Sequence, residues 1–393
     1  MTTALSNIYG RLPVAFTHGQ GVWLWDAEGK RYLDGLSGIG VSCLGHAHPG
    51  LVKAISDQAA KVIHTSNIYE VPLQEQLAQR IVAISGMTEV FFGNSGAEAN
   101  EGAIKLARMY GHVKGIKVPT IISMESSWHG RTLGTLAATG SEKARQGFEP
   151  LPQGFMQVRY NNIQAIEDAA AQCPDVVAVL IEVLQGEGGI RPSDMQYLKQ
   201  LRALCDERGW LMMIDEVQSG IGRTGKWLAH QWADILPDVI TLAKGLGGGV
   251  PIAAVAARGP AAGVLKPGHH GTTFGGGPLV CAAGLAVFDA IESEGLLNNA
   301  QQVGNHIKTR LQHDLKGIDG VHEVRGMGLM LGIELARPCA ELVRQALAAG
   351  LLINVTRDSV IRLLPPLILN LEQADQIVDT LVPLVQQFLD TKA

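Results

Sequence analysis

Short apolar segments alternate with longer helical patterns along most of the chain, and this alternation limits the possible folds more than any other feature. The apolar segments predicted as strands are Glu89–Phe92, Thr120–Met124, Val176–Ile181, Trp210–Ile214, Val239–Ala243 and Ile252–Ala257. Patterns such as Glu98–Tyr110 and Asp194–Arg208 predict helices between them. Strands that alternate with helices need crossover connections, so the sequence predicts an α/β fold with a mostly parallel, helix-covered sheet.

The pattern divides the 393 residues into three regions. Residues 1–45 are an N-terminal segment, expected to pack with the small domain and to contain a hairpin that turns at Ala27–Gly29. Residues 46–285 are the large domain with the predicted sheet. Residues 286–393 are a small C-terminal α+β domain, in which helical patterns surround the alternating segment His322–Glu334.

Charge and composition argue against several classes of function. The net charge is −5 and no long basic run occurs, so nucleic acid and anionic membranes are not expected as partners. The five cysteines occur singly and without CxxC spacing, as is typical of a protein in a reducing compartment. The opening MTTALSNIYGRLP lacks signal-peptide features and no apolar run is long enough to span a bilayer, so we expect a cytoplasmic protein.

A strand, a turn and a helix follow one another in FFGNSGAEANEGAIKLAR, residues 91–108. Ser95 and Glu98 have the spacing of a capping box. The small residues Gly96 and Ala97 leave the amide groups of the first helical turn accessible, and a helix N-terminus favours negative charge. The segment therefore predicts a phosphate site, with an ordinary capped helix as the alternative.

Two ionisable residues stand at the ends of predicted parallel strands. Asp215 follows Trp210–Ile214, and Lys244 follows Val239–Ala243 and precedes a glycine-rich turn. Ligands of open α/β sheets bind at this carboxyl edge. An amine, an acid and a phosphate-binding helix together meet the needs of pyridoxal phosphate, because the amine bonds to the aldehyde and the acid keeps the pyridine nitrogen protonated.

Two other motifs suggest different chemistry. Gly220–Gly225, GIGRTG, matches the dinucleotide pattern G-x-G-x-x-G, with Asp238 near the offset of a ribose partner. Against a dinucleotide fold, DEVQS separates the strand from the first glycine and a proline follows too soon for a long helix. His46 and His48 in LGHAHPG lack a third ligand nearby, so no metal is expected.

The chain resembles the class III pyridoxal-phosphate aminotransferases over nearly its whole length. The motifs that carry the resemblance are NSGAEANEGAIKLAR, SWHGRT, LQGEGG, IDEVQSGIGRTG, ITLAKGLGGGV and HGTTFGGGPL, in the family's order and approximate spacing. The resemblance implies a fold-type I transferase, similar to aspartate aminotransferase, with a mostly parallel seven-stranded sheet and a small α+β domain. It also implies pyridoxal 5'-phosphate as cofactor.

The N-terminal YGRLPVAFTHGQGVWLWDAEGKRYLD and LGHAHPG are most similar to the acetylornithine branch of this family. This similarity implies transamination between N2-acetylornithine and 2-oxoglutarate, a reaction of arginine biosynthesis. Ornithine, succinylornithine, diaminopimelate derivatives and 4-aminobutyrate stay open as donors. A dehydrogenase that uses GIGRTG, a non-catalytic cofactor-binding protein and an aminomutase are alternatives outside this reaction.

The resemblance also assigns cofactor contacts. Lys244 is expected to bond to the cofactor and then to move the proton between substrate and cofactor carbons, while Asp215 pairs with the pyridine nitrogen. The other expected contacts are Ser95, Gly96 and Ala97 at the phosphate, Trp128, Val217 and Gln218 at the ring, and Thr273 at the phosphate of a neighbouring subunit. A shared site implies a homodimer. Trp128, Val183 and Gly277 stand where the family more often has Phe or Tyr, Pro and Asn.

Substrate contacts are expected from Arg131, Glu187, Thr272, Arg362 and Tyr9. Arg131 would bind the carboxylate remote from the reacting amine, and Arg362 the α-carboxylate of glutamate, because arginine offers a bidentate fork. Glu187 would pair with Arg362 during the ω-amine reaction and release it for glutamate. Ornithine aminotransferases tend to have tyrosine where this chain has Ile39, and an apolar residue suits the neutral acetamide better than an ammonium group. Tyr9 does not distinguish the two groups.

Overall fold

The N-terminal segment folds into three short strands and a short helix in the computed structural model, which describes residues 4–391. Its elements are strands β1 (Phe16–Gln20), β2 (Trp23–Asp26) and β3 (Arg31–Asp34) and the short helix α1 (Ser37–Gly40). The predicted hairpin is confirmed, because β2 pairs antiparallel with β3. The Asp26 carboxylate closes the turn by accepting hydrogen bonds from the amides of Glu28 (3.1 Å) and Lys30 (2.8 Å).

The large sheet and its covering helices occupy the middle of the chain. The helices are α2 (Pro49–Ala59), α3 (Pro72–Ser85), α4 (Gly96–Val113), α5 (Leu133–Ala138), α6 (Glu142–Arg145), α7 (Ile163–Gln172), α8 (Met195–Arg208) and α9 (Pro278–Ser293). The strands are β4 (Glu89–Gly93), β5 (Thr120–Met124), β6 (Phe155–Val158), β7 (Val176–Ile181), β8 (Leu184–Gln185), β9 (Arg191–Pro192), β10 (Leu211–Asp215), β11 (Val239–Leu242) and β12 (Ala253–Ala257). Single 3-10 turns cover Ala229–Trp232, Lys244–Gly247 and Gly259–Ala261.

Seven strands form the large sheet in the order β4-β12-β11-β10-β7-β5-β6. β12 runs antiparallel to both neighbours, and the other pairs are parallel. The strands β7, β10 and β11 are buried along their whole length, as expected for apolar runs covered on both faces. The predicted α/β fold with a mostly parallel seven-stranded sheet is therefore confirmed. The edge strand β6 was not predicted from the sequence. Only Val158 of its four residues is buried, so the strand lacks a continuous apolar pattern.

The C-terminal part of the chain forms a second, smaller sheet with helices beside it. Its elements are α10 (Leu296–Asp314), β13 (Val321–Met327), β14 (Met330–Leu335), α11 (Glu341–Ala348), β15 (Leu351–Leu352), β16 (Asn354–Thr356), β17 (Val360–Leu363) and α12 (Leu371–Asp390). The sheet order is β13-β14-β17-β16. β15 leaves this sheet and pairs parallel with β3, which joins the N-terminal segment to the C-terminal part. α9 runs across the predicted domain boundary at residue 285.

The strand pattern of residues 351–364 is broken into three short strands. Arg357 and Asp358 have φ of 47° and 61°, so the chain turns there and β17 folds back antiparallel on β16. The apolar pattern of this segment therefore does not form one continuous strand. Because of the turn, Arg362 on β17 lies next to Asn354 on β16.

Candidate active site

A cavity of about 400 Å³ lies at the carboxyl edge of the large sheet. β10 and β11 are parallel neighbours with Asp215 opposite Thr241, so Asp215 and Lys244 leave the sheet at the same edge. The predicted site residues that line the cavity are Ser95, Gly96, Ala97, Trp128, Arg131, Glu187, Asp215, Val217, Gln218 and Lys244. The fold thus brings together most of the residues that the sequence singled out.

Lys244 begins a 3-10 turn directly after β11, with a φ of 44°. A non-glycine residue in this left-handed region is uncommon and is often found where a site imposes it. Burial lowers the pKa of the Lys244 amine, and the nearby Arg362 lowers it further, while Asp215, Glu187 and Glu182 act in the opposite direction. A lowered pKa increases the share of neutral, nucleophilic amine at neutral pH.

Asp215 is held by three hydrogen-bond donors. Its Oδ2 accepts bonds from Nδ2 of Asn100 (2.7 Å) and from Nδ1 of His129 (2.8 Å), and its Oδ1 accepts from the Val217 amide (2.9 Å). Asn100 is fixed in turn, because its Oδ1 accepts from the Thr241 hydroxyl at 2.8 Å. These bonds orient the carboxylate rigidly at the wall of the cavity.

Neither Asn100 nor His129 was among the site residues predicted from the sequence. A signal for Asn100 was present, since it lies on the apolar face of α4 together with Ala103, Ile104 and Ala107. A polar residue at such a position must find a buried partner, and Asp215 is that partner. For His129 the sequence offers no comparable signal, because the residue lies in an irregular segment between β5 and α5.

The N-terminus of α4 opens into the cavity. The Ser95 hydroxyl caps it by accepting from the Glu98 amide at 3.2 Å, while the Glu98 carboxylate accepts from the Asn94 amide at 2.6 Å. A Cβ added to Gly96 would lie 2.6 Å from Cγ1 of Val217, so only glycine allows this close approach. The first-turn amides of Gly96 and Ala97 have no acceptor within the helix, which makes them donors for an anion.

Glu182 forms hydrogen bonds to two loops of the site, the one that contains Trp128 and the one that contains Gly186. Its carboxylate accepts hydrogen bonds from the Trp128 amide (3.0 Å) and the Gly186 amide (3.2 Å). Burial raises the pKa of Glu182 to about 7; His129 and these two amides lower it, and Asp215 raises it. Glu182 also lines the cavity. The contacts expected from the sequence did not include Glu182.

Two arginines occupy different depths around the cavity. The exposed Arg131 lines it, with its guanidinium carbon 4.4 Å from the centre of the Trp128 ring. Arg362 is 1% exposed and does not belong to the lining, whereas Glu187 does. Glu187 Oε1 and Arg362 Nη1 are 2.5 Å apart, so the acid covers and neutralises the buried arginine. Gln218 accepts a longer bond from the same nitrogen (3.4 Å).

Besides Arg362, three predicted contacts lie outside the lining of this cavity. The Thr272 hydroxyl accepts hydrogen bonds from Asn94 Nδ2 (3.1 Å), in the turn before α4, and from the Gly275 amide (3.3 Å) of its own loop. Thr273 is exposed, and Tyr9 is 69% exposed. Ile39 is also outside the lining, and the apolar residue that lines the cavity in this segment is Val41. The roles expected for Tyr9, Thr272 and Thr273 stay predictions.

The histidines and the glycine motif have structural partners. His46 and His48 bond to different acids, Asp34 and Glu294. In GIGRTG, Arg223 is 2% exposed, and its Nη1 donates to the carbonyl oxygens of Leu329 (3.1 Å) and Pro365.

The dinucleotide interpretation of GIGRTG is wrong. The next regular element after the motif is the short 3-10 turn Ala229–Trp232, so no long helix presents its N-terminus to a pyrophosphate. The motif instead packs against the C-terminal part of the chain, since a Cβ at Gly328 would lie 2.5 Å from the Thr224 carbonyl carbon.

Among residues 4–391, no helix is long and apolar enough to cross a membrane.

Comparison with known proteins gives consistent matches over the whole chain. Residues 5–385 match the family described as aminotransferase class-III. Acetylornithine aminotransferase 1 of Bordetella bronchiseptica is 70% identical over 389 residues, which are 99% of each chain. Acetylornithine aminotransferase of Nitrosomonas europaea is 53% identical and covers 98% of each chain.

Solved structures give the same result. The acetylornithine aminotransferase from Elizabethkingia anophelis superposes with a TM-score of 0.86 at 35% identity, covering 98% of this chain and 96% of that one. The ornithine aminotransferase from Toxoplasma gondii superposes with a TM-score of 0.95 at 31% identity, covering 99% and 94%. Together with the cavity at the carboxyl edge of the sheet, these matches lead to one conclusion: the chain belongs to the class-III aminotransferases.

Proposed function

We propose that this chain uses pyridoxal 5'-phosphate to transfer the ω-amine of N2-acetyl-L-ornithine to 2-oxoglutarate. The products are N-acetyl-L-glutamate 5-semialdehyde and L-glutamate, and the reaction belongs to arginine biosynthesis. The observation that carries this proposal is the presence of two different arginines near Lys244. Arg131 is free to bind a carboxylate, whereas Arg362 is covered by Glu187. The names of the two bacterial relatives support acetylornithine as the donor.

The residues around the cavity fit pyridoxal phosphate. The open amides of Gly96 and Ala97 suit its phosphate, and the triply bonded Asp215 suits a protonated pyridine nitrogen. Trp128 offers a flat face for stacking. When bound, the cofactor supplies an aldehyde that accepts the amine and a ring that withdraws electrons from the reacting carbon.

Lys244 does two things in this mechanism. As a neutral amine it is the nucleophile that holds the cofactor at the carboxyl edge of the sheet. With a donor bound, the Lys244 nitrogen would accept the proton that leaves the donor's reacting carbon and would return it later in the same half-reaction. The position of Lys244, half-buried beside Asp215, keeps that proton away from bulk water.

Arg131 and Arg362 divide the recognition of two different substrates. Arg131 binds the carboxylate of acetylornithine that is remote from the ω-amine. That donor places no carboxylate next to its reacting amine, so Glu187 stays on Arg362 and satisfies its charge. Glutamate carries its α-carboxylate next to the amine, and Glu187 then moves aside so that Arg362 can bind it. One cavity can therefore serve both half-reactions.

We also propose that the enzyme is a homodimer whose sites are shared. Thr273 is exposed and outside the cavity of its own chain, as a residue that serves a neighbouring site would be. Large apolar side chains around the same loop are exposed, including Ile63 (58%), Ile68 (84%) and Phe274 (65%). Sedimentation velocity should therefore give a species of twice the chain's mass, and a monomer with full activity would contradict the shared site.

The visible absorption of the protein loaded with pyridoxal phosphate tests the proposed reaction. We expect N2-acetylornithine alone to bleach the band of the bound aldehyde and 2-oxoglutarate to restore it, because each substrate completes one half-reaction. Ornithine, succinylornithine and 4-aminobutyrate at the same concentration are the comparison donors. A band that ignores acetylornithine but responds to one of these would contradict the proposed donor and leave the chemistry intact.

A further inference from the structure

The loop that carries Glu187 is held by the C-terminal part of the chain. This loop, Gly186–Ile190, joins the paired strands β8 and β9. Arg325 on β13 is 6% exposed, and its Nε donates to the carbonyl oxygens of Gly189 (3.1 Å) and Ile190 (3.0 Å). Its Nη2 donates a further bond to Gly189 (2.6 Å). A single buried guanidinium thus fixes two consecutive carbonyl groups of the loop.

The other edge of Arg325 is fixed by two acids. Its Nη1 lies 2.7 Å from Glu323 Oε2 and 2.5 Å from Glu334 Oε2. A planar guanidinium held on both edges has little freedom to rotate. Arg325 is therefore a rigid connection between the second sheet and the loop.

The loop backbone needs such support. Ile190 is fully buried and has a φ of 51°, a conformation that a β-branched residue adopts only when its surroundings impose it. A Cβ at Gly332 would lie 2.8 Å from Cβ of Ile190, so the strained residue is pressed against β14.

The rest of the loop is braced in the same way. The Gly186 amide donates to Glu182 (3.2 Å), and the Glu187 carbonyl accepts from the Thr356 hydroxyl (2.7 Å). A Cβ at Gly188 would lie 2.8 Å from the Ser126 carbonyl oxygen. By contrast, the Glu187 side chain is 34% exposed and faces the cavity. In this loop it is the part that has room to move.

We propose that Arg325 is a positioning residue that holds the backbone of loop 186–190 fixed, so that Glu187 moves on and off Arg362 by side-chain rotation alone. Arg325 thereby sets the preference between an ω-amine and an α-amine donor. The inference rests on the proposed function, because it takes Glu187 to be the group that covers Arg362. We define the donor ratio as the single-turnover rate with glutamate divided by the rate with N2-acetylornithine.

The test measures the donor ratio in matched variants. Glu187→Gln removes the cover and should raise the ratio. Arg325→Lys keeps the charge beside the two acids but loses the fork, so it should raise the ratio by about three- to tenfold, the scale of one or two hydrogen bonds. Arg191→Gln is the control, because Arg191 also pairs with Glu334 (3.3 Å) but donates no bond to the loop carbonyls. It should leave the ratio unchanged.

A second variant and a second readout address misfolding. Thr356→Val removes the hydroxyl bond to the Glu187 carbonyl with a near-isosteric change, and it should also raise the donor ratio. Hydrogen exchange of the unliganded protein should be faster in peptides that cover 186–190 for Arg325→Lys and unchanged for Arg191→Gln. A purely structural role would lower the melting temperature without changing the ratio.

The double variant separates this inference from the proposed function. If Arg325 acts through Glu187, then Glu187→Gln with Arg325→Lys should have the donor ratio of Glu187→Gln alone. An additional increase, or wild-type ratios in both Arg325→Lys and Thr356→Val, would overturn the inference while leaving the Glu187 switch in place. An unchanged ratio in Glu187→Gln itself would instead overturn the switch on which the inference rests.

Discussion

Replacing Lys244 with alanine should lower the rate of the acetylornithine half-reaction by roughly 10⁴-fold or more. Proton transfer by a positioned side chain contributes about 10²- to 10⁴-fold by itself, and this variant also removes the nucleophile that holds the cofactor. The charged groups that act on the Lys244 amine are Arg362, Asp215, Glu187 and Glu182, and none of them is suited to replace it as a base. The arginine is a poor base, and each acid already has a hydrogen-bond partner.

The measurement combines single-turnover kinetics with chemical labelling. Borohydride reduction of the loaded enzyme, followed by peptide mass spectrometry, should find the cofactor's mass on the Lys244 peptide in the wild type and nowhere in the variant. Lys226→Ala is the matched control, since Lys226 is partly buried nearby in sequence but contacts Gln231 and Trp232. It should react normally. Ordinary turnover in Lys244→Ala would remove the basis of the proposed mechanism.

Asp215→Asn should lower the rate of both half-reactions by about a hundredfold or more, with a smaller effect on substrate affinity. A carboxylate within hydrogen-bond reach raises the pKa of a basic nitrogen by about 1–3 units, so its loss leaves the pyridine nitrogen mostly unprotonated. The variant keeps the size of the side chain and the cavity. The expected defect is therefore in the turnover rate rather than in binding.

The control for this variant is another buried aspartate of the same sheet. Asp238 accepts hydrogen bonds from Arg202 Nη1 (2.7 Å) and the Met212 amide (2.8 Å) and does not line the cavity. Asp238→Asn should lower the melting temperature but keep the turnover of the folded enzyme. N-methylated pyridoxal phosphate carries a permanent positive charge on its ring nitrogen, so it should partly restore Asp215→Asn. A failure of this rescue would show that Asp215 does not act through the ring charge.

The environment of Asp215 also explains why this acid, and not Glu182, is suited to pair with the pyridine nitrogen. Asp215 receives three hydrogen bonds, which fix the orientation of its carboxylate at the cavity wall. Glu182 is buried and has its pKa raised to about 7, so near neutral pH it is divided between its charged and neutral forms. The two acids that face the cavity are thus held by different hydrogen-bond partners.

Much of the fold could be predicted from local patterns. Continuous apolar runs such as Val176–Ile181 and Val239–Leu242 predict strands buried on both faces, and both lie in the centre of the sheet. The sequence also places Asp215 and Lys244 at one edge, since parallel strands end on the same side. Where the pattern was weak, as in the edge strand Phe155–Val158, prediction failed because little of the strand is buried.

The sequence by itself determined which groups could do chemistry: a lysine and an acid after neighbouring strands, a capped helix N-terminus and arginines within motifs. Only the tertiary structure decided how these groups are held. Asn100 and His129 orient Asp215, and Arg325 holds the loop of Glu187, through contacts between segments far apart in the chain. Strand and helix periodicity reports which face of an element is buried, but it carries no information about which distant carbonyl or carboxylate a buried polar group will meet.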